Sequence, residues 1–353
     1  MRVAILHLKA VSILNQAALV EKLLRDRGYD VEYRRGITAW EIRDEELKSL
    51  LIMTVAAPAH VHEYIWVFHY ARRDAQKPVA LYVTIEGLPY KATIQGSGLE
   101  RLEYIANSNF TAECLRKVGL KVVDVIHHAV DMDLARKVTY ETEKRRNPFE
   151  RFLERRFGDI CKLIYVGRHD PRKGLPLLAE AMRIVHEKWK DKYVLVMISE
   201  PEARKYFEGL NVYWLTNFGN LTYEHTLMAM KACDYLVFPS LCEGFGLPVL
   251  EANSLGIPAI HSWFKPLSEF SSQEFNFVFN YLLERPMKTR SGQFFIMHEY
   301  VPDMLADMID YALDVFYNSR EEYEDYSAKA VEHASKWDYR LIYPKLLEHL
   351  GVE

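Results

Sequence analysis

Short apolar runs alternate with stretches of helical pattern twice along this chain, and that double alternation limits what it can fold into. Strand-like runs lie at Val3 to Leu8, Tyr29 to Tyr33, Leu50 to Ala56, Pro78 to Ile85, Tyr104 to Ala106 and Val122 to Ile126. Helical patterns fall between them, at Asn15 to Arg27, His60 to Arg72 and Phe110 to Val118. A strand that must bury both faces reads as a continuous apolar run, and the segment that returns the chain to its parallel neighbour reads as a helix. The series predicts an α/β class with a parallel sheet covered on both sides. A charged segment, Arg136 to Arg156 with net charge +4, then interrupts the pattern. The alternation resumes with strands at Leu163 to Val166, Tyr193 to Ile198, Val212 to Leu215, Tyr235 to Phe238 and Ile257 to His261. Two doubly wound domains of Rossmann type follow, spanning 1–150 and 151–338, with the charged segment as linker. The last stretch, 339–353, is expected to cross back onto the first domain.

Composition removes several classes of function. At 353 residues the chain is long enough for two cores. A net charge of -4 argues against general nucleic-acid binding. Cys114, Cys161, Cys233 and Cys242 show no metal-ligand spacing and read as reduced thiols. No apolar run approaches the ~20 residues of a membrane span. The opening MRVAILHL enters a strand without a signal-peptide pattern. Together these predict a cytoplasmic protein. Residues 144–157 mix cations with Phe152, Leu153 and Phe157, so a weak membrane-surface contact stands beside the plainer reading of a solvated hinge.

The chemistry concentrates in Pro239 to Pro258, PSLCEGFGLPVLEANSLGIP. An apolar strand runs into a turn containing Gly244 and Gly246, and Pro248 suits the first turn of a helix. Unpaired N–H groups at such a helix start attract phosphate. Glu243 and Glu251 flank the turn, and helical side chains lean toward the N-terminus, so Glu251 points back to the same mouth. Carboxylates beside a phosphate site suit a ligand bearing hydroxyls and phosphate, as a nucleotide-sugar does. A second segment, VGRHDPRKGLPLLAEAM, places Arg168 and Lys173 on a loop after a strand, where two cations suit a diphosphate. Taken alone, each segment also reads as an ordinary solvated turn.

Gly167-Arg168 with Arg172-Lys173-Gly174, EGFGLPVLE, IANSNFTAECLRKVGL and HHAVDMD together resemble the family 4 glycosyltransferases, which have the two-domain GT-B fold and retain anomeric configuration. The likeness covers most of residues 100 to 260. It implies a cleft with the donor in the second domain and the acceptor in the first. Arg168 and Lys173 would hold the diphosphate, Glu251 the ribose, and Glu243 the donor sugar. Gly244, Phe245, Gly246 and Leu247 would contact sugar and phosphate, with Phe218, Gly219 and Ser199 near the base. No bound metal or other cofactor is implied. The partners would be a nucleoside-diphosphate sugar and an acceptor hydroxyl on a glycan, a lipid-linked sugar or a small molecule. Another GT-B enzyme, an epimerase or phosphorylase, and a non-catalytic nucleotide-sugar binder are the alternatives.

Two positions depart from the family. Its glycine-rich loop after the first strand reads Lys9-Ala10-Val11-Ser12, and its usual His after YVTI is Glu86. Glu86 could act as a base, which would suit inversion, could position the acceptor, or could replace the His structurally. His7, His60, His62, His69, His127 and His128 complete no metal site and read as structural or acceptor-side residues.

Overall fold

A computed structural model describes residues 1–352. The first half carries β1 (Arg2–His7), β2 (Asp30–Arg34), β3 (Leu47–Val55), β4 (Val79–Thr84), β5 (Gly87–Pro89), β6 (Glu103–Ala106) and β7 (Lys121–Val125). All but β5 form one parallel sheet, ordered β2-β1-β3-β4-β6-β7. The second half carries β8 (Cys161–Val166), β9 (Tyr193–Ile198), β10 (Val212–Thr216), β11 (Tyr235–Phe238), β12 (Ala259–Trp263) and β13 (Phe277–Asn280) in a second parallel sheet, ordered β10-β9-β8-β11-β12-β13. Strands β8, β9 and β11 are buried along their whole length, which their unbroken apolar sequence anticipates. Helix Val11–Asp26 shows the other period. Ile13, Gln16, Ala17, Val20 and Leu24 face the sheet, and Gly28 at φ +81 ends the turn that follows.

The charged segment is not a loose linker. Its residues belong to two helices, Met132–Glu143 and Pro148–Phe157, capped by Asp131 and Asn147. Ala135, Val138 and Leu153 join the second core, while the charges occupy the outward faces. A buried stripe interrupted by Thr142 is hard to read among so many ions. The passage between domains therefore lies near Val130 and not near residue 150. There the return strand runs alongside, with Val130 N–H donating to Trp337 O and Tyr339 N–H to Val130 O, both at 3.0 Å.

Beyond Asp338 the chain packs in the first domain. Tyr339, Tyr343, Leu346, Leu347 and Leu350 share a core with Val3, Ile5, Leu24 and Tyr82. The Tyr343 hydroxyl hydrogen-bonds Gln16, whose amide donates to Ala129 O at 3.0 Å. Two crossing segments side by side, each with residues in both cores, form the joint on which the domains are hung.

A third sheet has no counterpart in the sequence reading. Strands β14 (Leu283–Lys288) and β15 (Gln293–Glu299) form a hairpin that leaves the second domain, and β15 pairs antiparallel with β5 of the first. Gly87 is required at the join, because a Cβ there would lie 2.0 Å from Phe294 O. Tyr90 adds two bonds, its N–H to Gly292 O at 2.8 Å and its hydroxyl to Thr289 O at 2.6 Å. No helix among the described residues is long and apolar enough to cross a membrane.

Leu347→Ala is expected to destabilise the protein by about 2–5 kcal/mol through the cavity it leaves under the first sheet. Urea unfolding followed by tyrosine and tryptophan fluorescence measures it, and an unchanged midpoint would show that the tail is not part of this core.

Candidate active site

The loops that leave β8, β9, β10 and β11 converge at the carboxyl edge of the second sheet, facing the carboxyl ends of β4 and β6. In such sheets this edge is where ligands bind. Glu243 follows β11 and Lys173 follows β8. Their side chains form an ion pair, and the Ser240 hydroxyl donates to Glu243 Oε1 at 2.6 Å. Arg172 Nη1 lies 3.7 Å from Glu243 Oε2 and donates to Cys242 O at 3.2 Å. Burial alone would push the Glu243 carboxyl up, but the Lys173 and Arg172 charges, with hydrogen bonds from Lys173 and Ser240, hold it below the usual glutamate range. Glu243 is thus an ionised carboxylate inside the protein, matched by two cations.

Arg172 also reaches across the cleft, its Nη2 lying 3.7 Å from Glu86 Oε1. Gln293 of the hairpin approaches the other carboxylate oxygen, Nε2 to Oε2 at 3.5 Å. The Glu86 carbonyl accepts from Ile296 N–H at 3.1 Å and from Cys242 Sγ at 2.9 Å. Burial works against the Arg172 charge, and Glu86 and Glu243 outweigh it, so its pKa rises. The result is a chain of alternating charge, Glu86–Arg172–Glu243–Lys173, that crosses from one domain to the other.

The glycine turn seats against the first domain. A Cβ on Gly244 would lie 2.2 Å from Thr84 Oγ1. The Gly244 carbonyl accepts from Asn107 Nδ2 at 3.3 Å and Ser108 Oγ at 3.2 Å. Phe245 stacks on Phe270 at 4.7 Å and meets the edges of His127 and His128. It is therefore a packing residue between domains. Gly246, at φ +101, opens helix Leu247–Ser254, and Leu247 is buried in the second core.

Glu251 sits on that helix, buried, with the Tyr223 hydroxyl as its hydrogen-bond partner. Burial raises its pKa to about 7 despite that bond. Arg168 is on the rim, its side chain 72% exposed and 3.5 Å from Glu200, while Lys173 lies deep. The two expected diphosphate ligands therefore differ sharply in setting. Ser199 is buried at the end of β9 with its hydroxyl unpartnered among the described residues. Phe218 packs against the second core and Gly219 is an exposed turn glycine at φ +86. Among the described residues, no group of three or more His, Cys, Asp or Glu is arranged to hold a metal.

Sequence reasoning gave no role to Arg172 or Gln293. Arg172 lies inside the quoted motif, but adjacent cations cannot be ranked without knowing which faces the cleft. The Ser291-Gly292 turn between β-rich runs is a hairpin signal that could have located Gln293. His127 pairs with Glu269 at 2.9 Å, and Glu269 also accepts the N–H groups of Asn109 and Phe110 at 2.8 Å. His128 meets the Tyr82 hydroxyl at 2.9 Å. Both histidines therefore serve the domain contact.

The Glu251 shift carries a stability consequence. Its carboxyl gains its proton at about 7 in the folded chain and near an ordinary glutamate value when unfolded. Between those values the folded state holds the extra proton, so this group's contribution falls as pH rises and is lowest above about 7. Glu251→Gln should raise Tm by a few degrees at about pH 8 and by less at about pH 5. An equal gain at both pH values would show that Glu251 does not titrate in this range.

Comparison with known proteins places the site in a wider setting. Residues 148–280 match the model described as Glycosyl transferases group 1. Uncharacterized glycosyltransferase 335 of Sulfolobus islandicus rod-shaped virus 1 is 26% identical over 352 residues, 99% of this chain and 100% of that one. The O-antigen chain mannosyltransferase B of Escherichia coli is 30% identical over 105 residues, 28% of each chain. Anabaena Alr3699/HepE, solved with UDP and glucose, superposes with a TM-score of 0.66 at 14% identity over 99% of both chains. A glycosyltransferase from Rickettsia africae ESF-5 gives 0.73 at 14% identity, over 99% of this chain and 98% of that one. The fold is GT-B, and the match over 148–280 with the full-length viral relative supports a glycosyltransferase of that architecture.

Proposed function

We propose that the protein transfers a hexosyl group from a nucleoside-diphosphate sugar to an acceptor hydroxyl, with retention and without a bound metal, in the manner of family 4. One observation carries this reading: at the carboxyl edge of the second sheet the buried Glu243 carboxylate is matched by Lys173 and Arg172, and the buried Glu251 lies on the helix that the same glycine turn opens. Glu251 suits ribose hydroxyls, which donate to a carboxylate. Lys173, Arg168 and the helix N-terminus supply positive charge for a departing diphosphate. Lys173 pairs with Glu243, so a donor phosphate at Lys173 would exchange one anionic partner for another and leave Glu243 free to meet the sugar. The UDP, glucose and mannosyltransferase associations of the relatives make UDP-glucose and GDP-mannose the first donors to try.

The setting of Glu86 supports retention. Both of its carboxylate oxygens face donors from the second domain, Arg172 and Gln293, so it acts as a positioning residue that fixes the closed cleft. A free base for direct displacement would need an oxygen open to the acceptor hydroxyl.

Thermal shift with UDP-glucose, UDP-galactose, UDP-N-acetylglucosamine and GDP-mannose tests the donor. One of them should raise Tm. Glu251→Ala should weaken that donor, and Lys173→Ala should slow its transfer or hydrolysis by about tenfold or more. Normal turnover in both variants would remove the assignment. For Glu86, Glu86→Gln and Arg172→Gln should each lower kcat by about tenfold or more, and the double variant should be no worse than the poorer single one. The acidic limb of the pH–kcat profile should survive in Glu86→Gln. Its loss there, with retention in Arg172→Gln, would make Glu86 the base and favour inversion.

A further inference from the structure

A cavity lies between the domains, on the far side of the Glu243 loop from the donor segments. The sheet order β10-β9-β8-β11-β12-β13 sets this geometry. Donor residues follow β8, β9, β10 and β11, whereas this cavity sits at the carboxyl ends of β12 and β13. Its volume is about 780 Å3, within the range of small-ligand sites. The first domain contributes one face of helix Asn109–Lys117, including Phe110, Glu113 and Lys117. Its back wall is β15, the strand whose Ile296 N–H binds Glu86 O and whose His298 N–H binds Leu241 O at 2.8 Å. The cavity and the reaction centre thus share one partition.

Its chemistry is mixed in a definite way. Trp263 and Tyr281 present half-buried aromatic rings. Tyr281 is fixed by its hydroxyl bond to Glu284 at 2.9 Å and by edge contact with His298, which in turn stacks on Phe264 at 4.2 Å. Charges of both signs stand beside the rings: Glu113 paired with Lys265 at 2.6 Å, Glu284, and Lys117. A hydrocarbon chain would strip water from these charges and return no hydrogen bond. A phosphate would meet Glu113 and Glu284. A sugar meets every group, since its C–H faces lie on aromatic rings and its hydroxyls both donate and accept.

We propose that this cavity is a saccharide-binding site, formed where the two domains meet behind the Glu243 loop. The proposal rests on the transferase reading for its purpose, while its binding chemistry is read independently of turnover.

Saturation-transfer NMR on the full chain with maltose, cellobiose, lactose, chitobiose and mannobiose tests it directly. At least one disaccharide should bind. Its affinity should fall by about tenfold in Trp263→Ala and in Lys117→Trp, the second filling the cavity from an exposed helix position and so guarding against misfolding of the first. Failure of every disaccharide would overturn the chemical class, as would binding of decanoate alone. Equal disaccharide binding in both variants would overturn the location. Donor thermal shift, recorded on the same samples, separates these failures from failure of the transferase reading.

Discussion

The alternating chain Glu86–Arg172–Glu243–Lys173 is the interaction on which the rest of the structure depends. Each member is buried or nearly so, and each charge is matched by the next. Removing one member of such an array strands its neighbour in a poorly solvated place, at a cost of about 3–5 kcal/mol for a buried pair. Because Glu86 belongs to the first domain and the others to the second, the array is complete only when the cleft is closed. Domain position and the electrostatics of the donor site are therefore one quantity.

The packing around the array serves the same end. The antiparallel sheet of β5, β15 and β14 ties the domains by backbone hydrogen bonds, and it delivers Gln293 to Glu86. Glu269 caps helix Asn109–Lys117 from the other domain, where a carboxylate is favoured by the helix dipole. Phe245 inserts from the glycine turn among Phe270, His128 and Trp337. Three kinds of force, ladder hydrogen bonds, a charged cap and aromatic packing, hold one closed arrangement. An opening motion for substrate exchange would have to release all three.

Much of the second domain was legible because its central strands are buried on both faces and the helices after β8 and β11 begin at a glycine followed by proline in the first turn. Tyr235 to Pro258 reads as strand, turn and helix from local rules alone, with the strand at Tyr235–Phe238 and the helix at Leu247–Ser254. The linker reading failed for an equally local reason. Surface charge dominates Arg136 to Arg156, and the buried stripe of Ala135, Val138 and Leu153 is sparse and broken by a turn at Arg145 to Asn147. Arg168 and Lys173 looked equivalent in sequence and are not, since one stands on the rim and the other under the Glu243 carboxylate.

By itself the sequence determined the two parallel sheets, the glycine turn and the presence of two glutamates and a cation pair at strand ends, because periodicity and backbone chemistry act over a few residues. Tertiary structure alone decided which cation meets which carboxylate, that Glu86 is clasped from the second domain, and that a further cavity opens beyond β11. Those outcomes depend on side chains about 70 residues or more apart in sequence meeting in space, as Lys173 and Glu243 do within one domain and Glu86 and Arg172 do across the cleft. Nothing in local pattern encodes the distance between them.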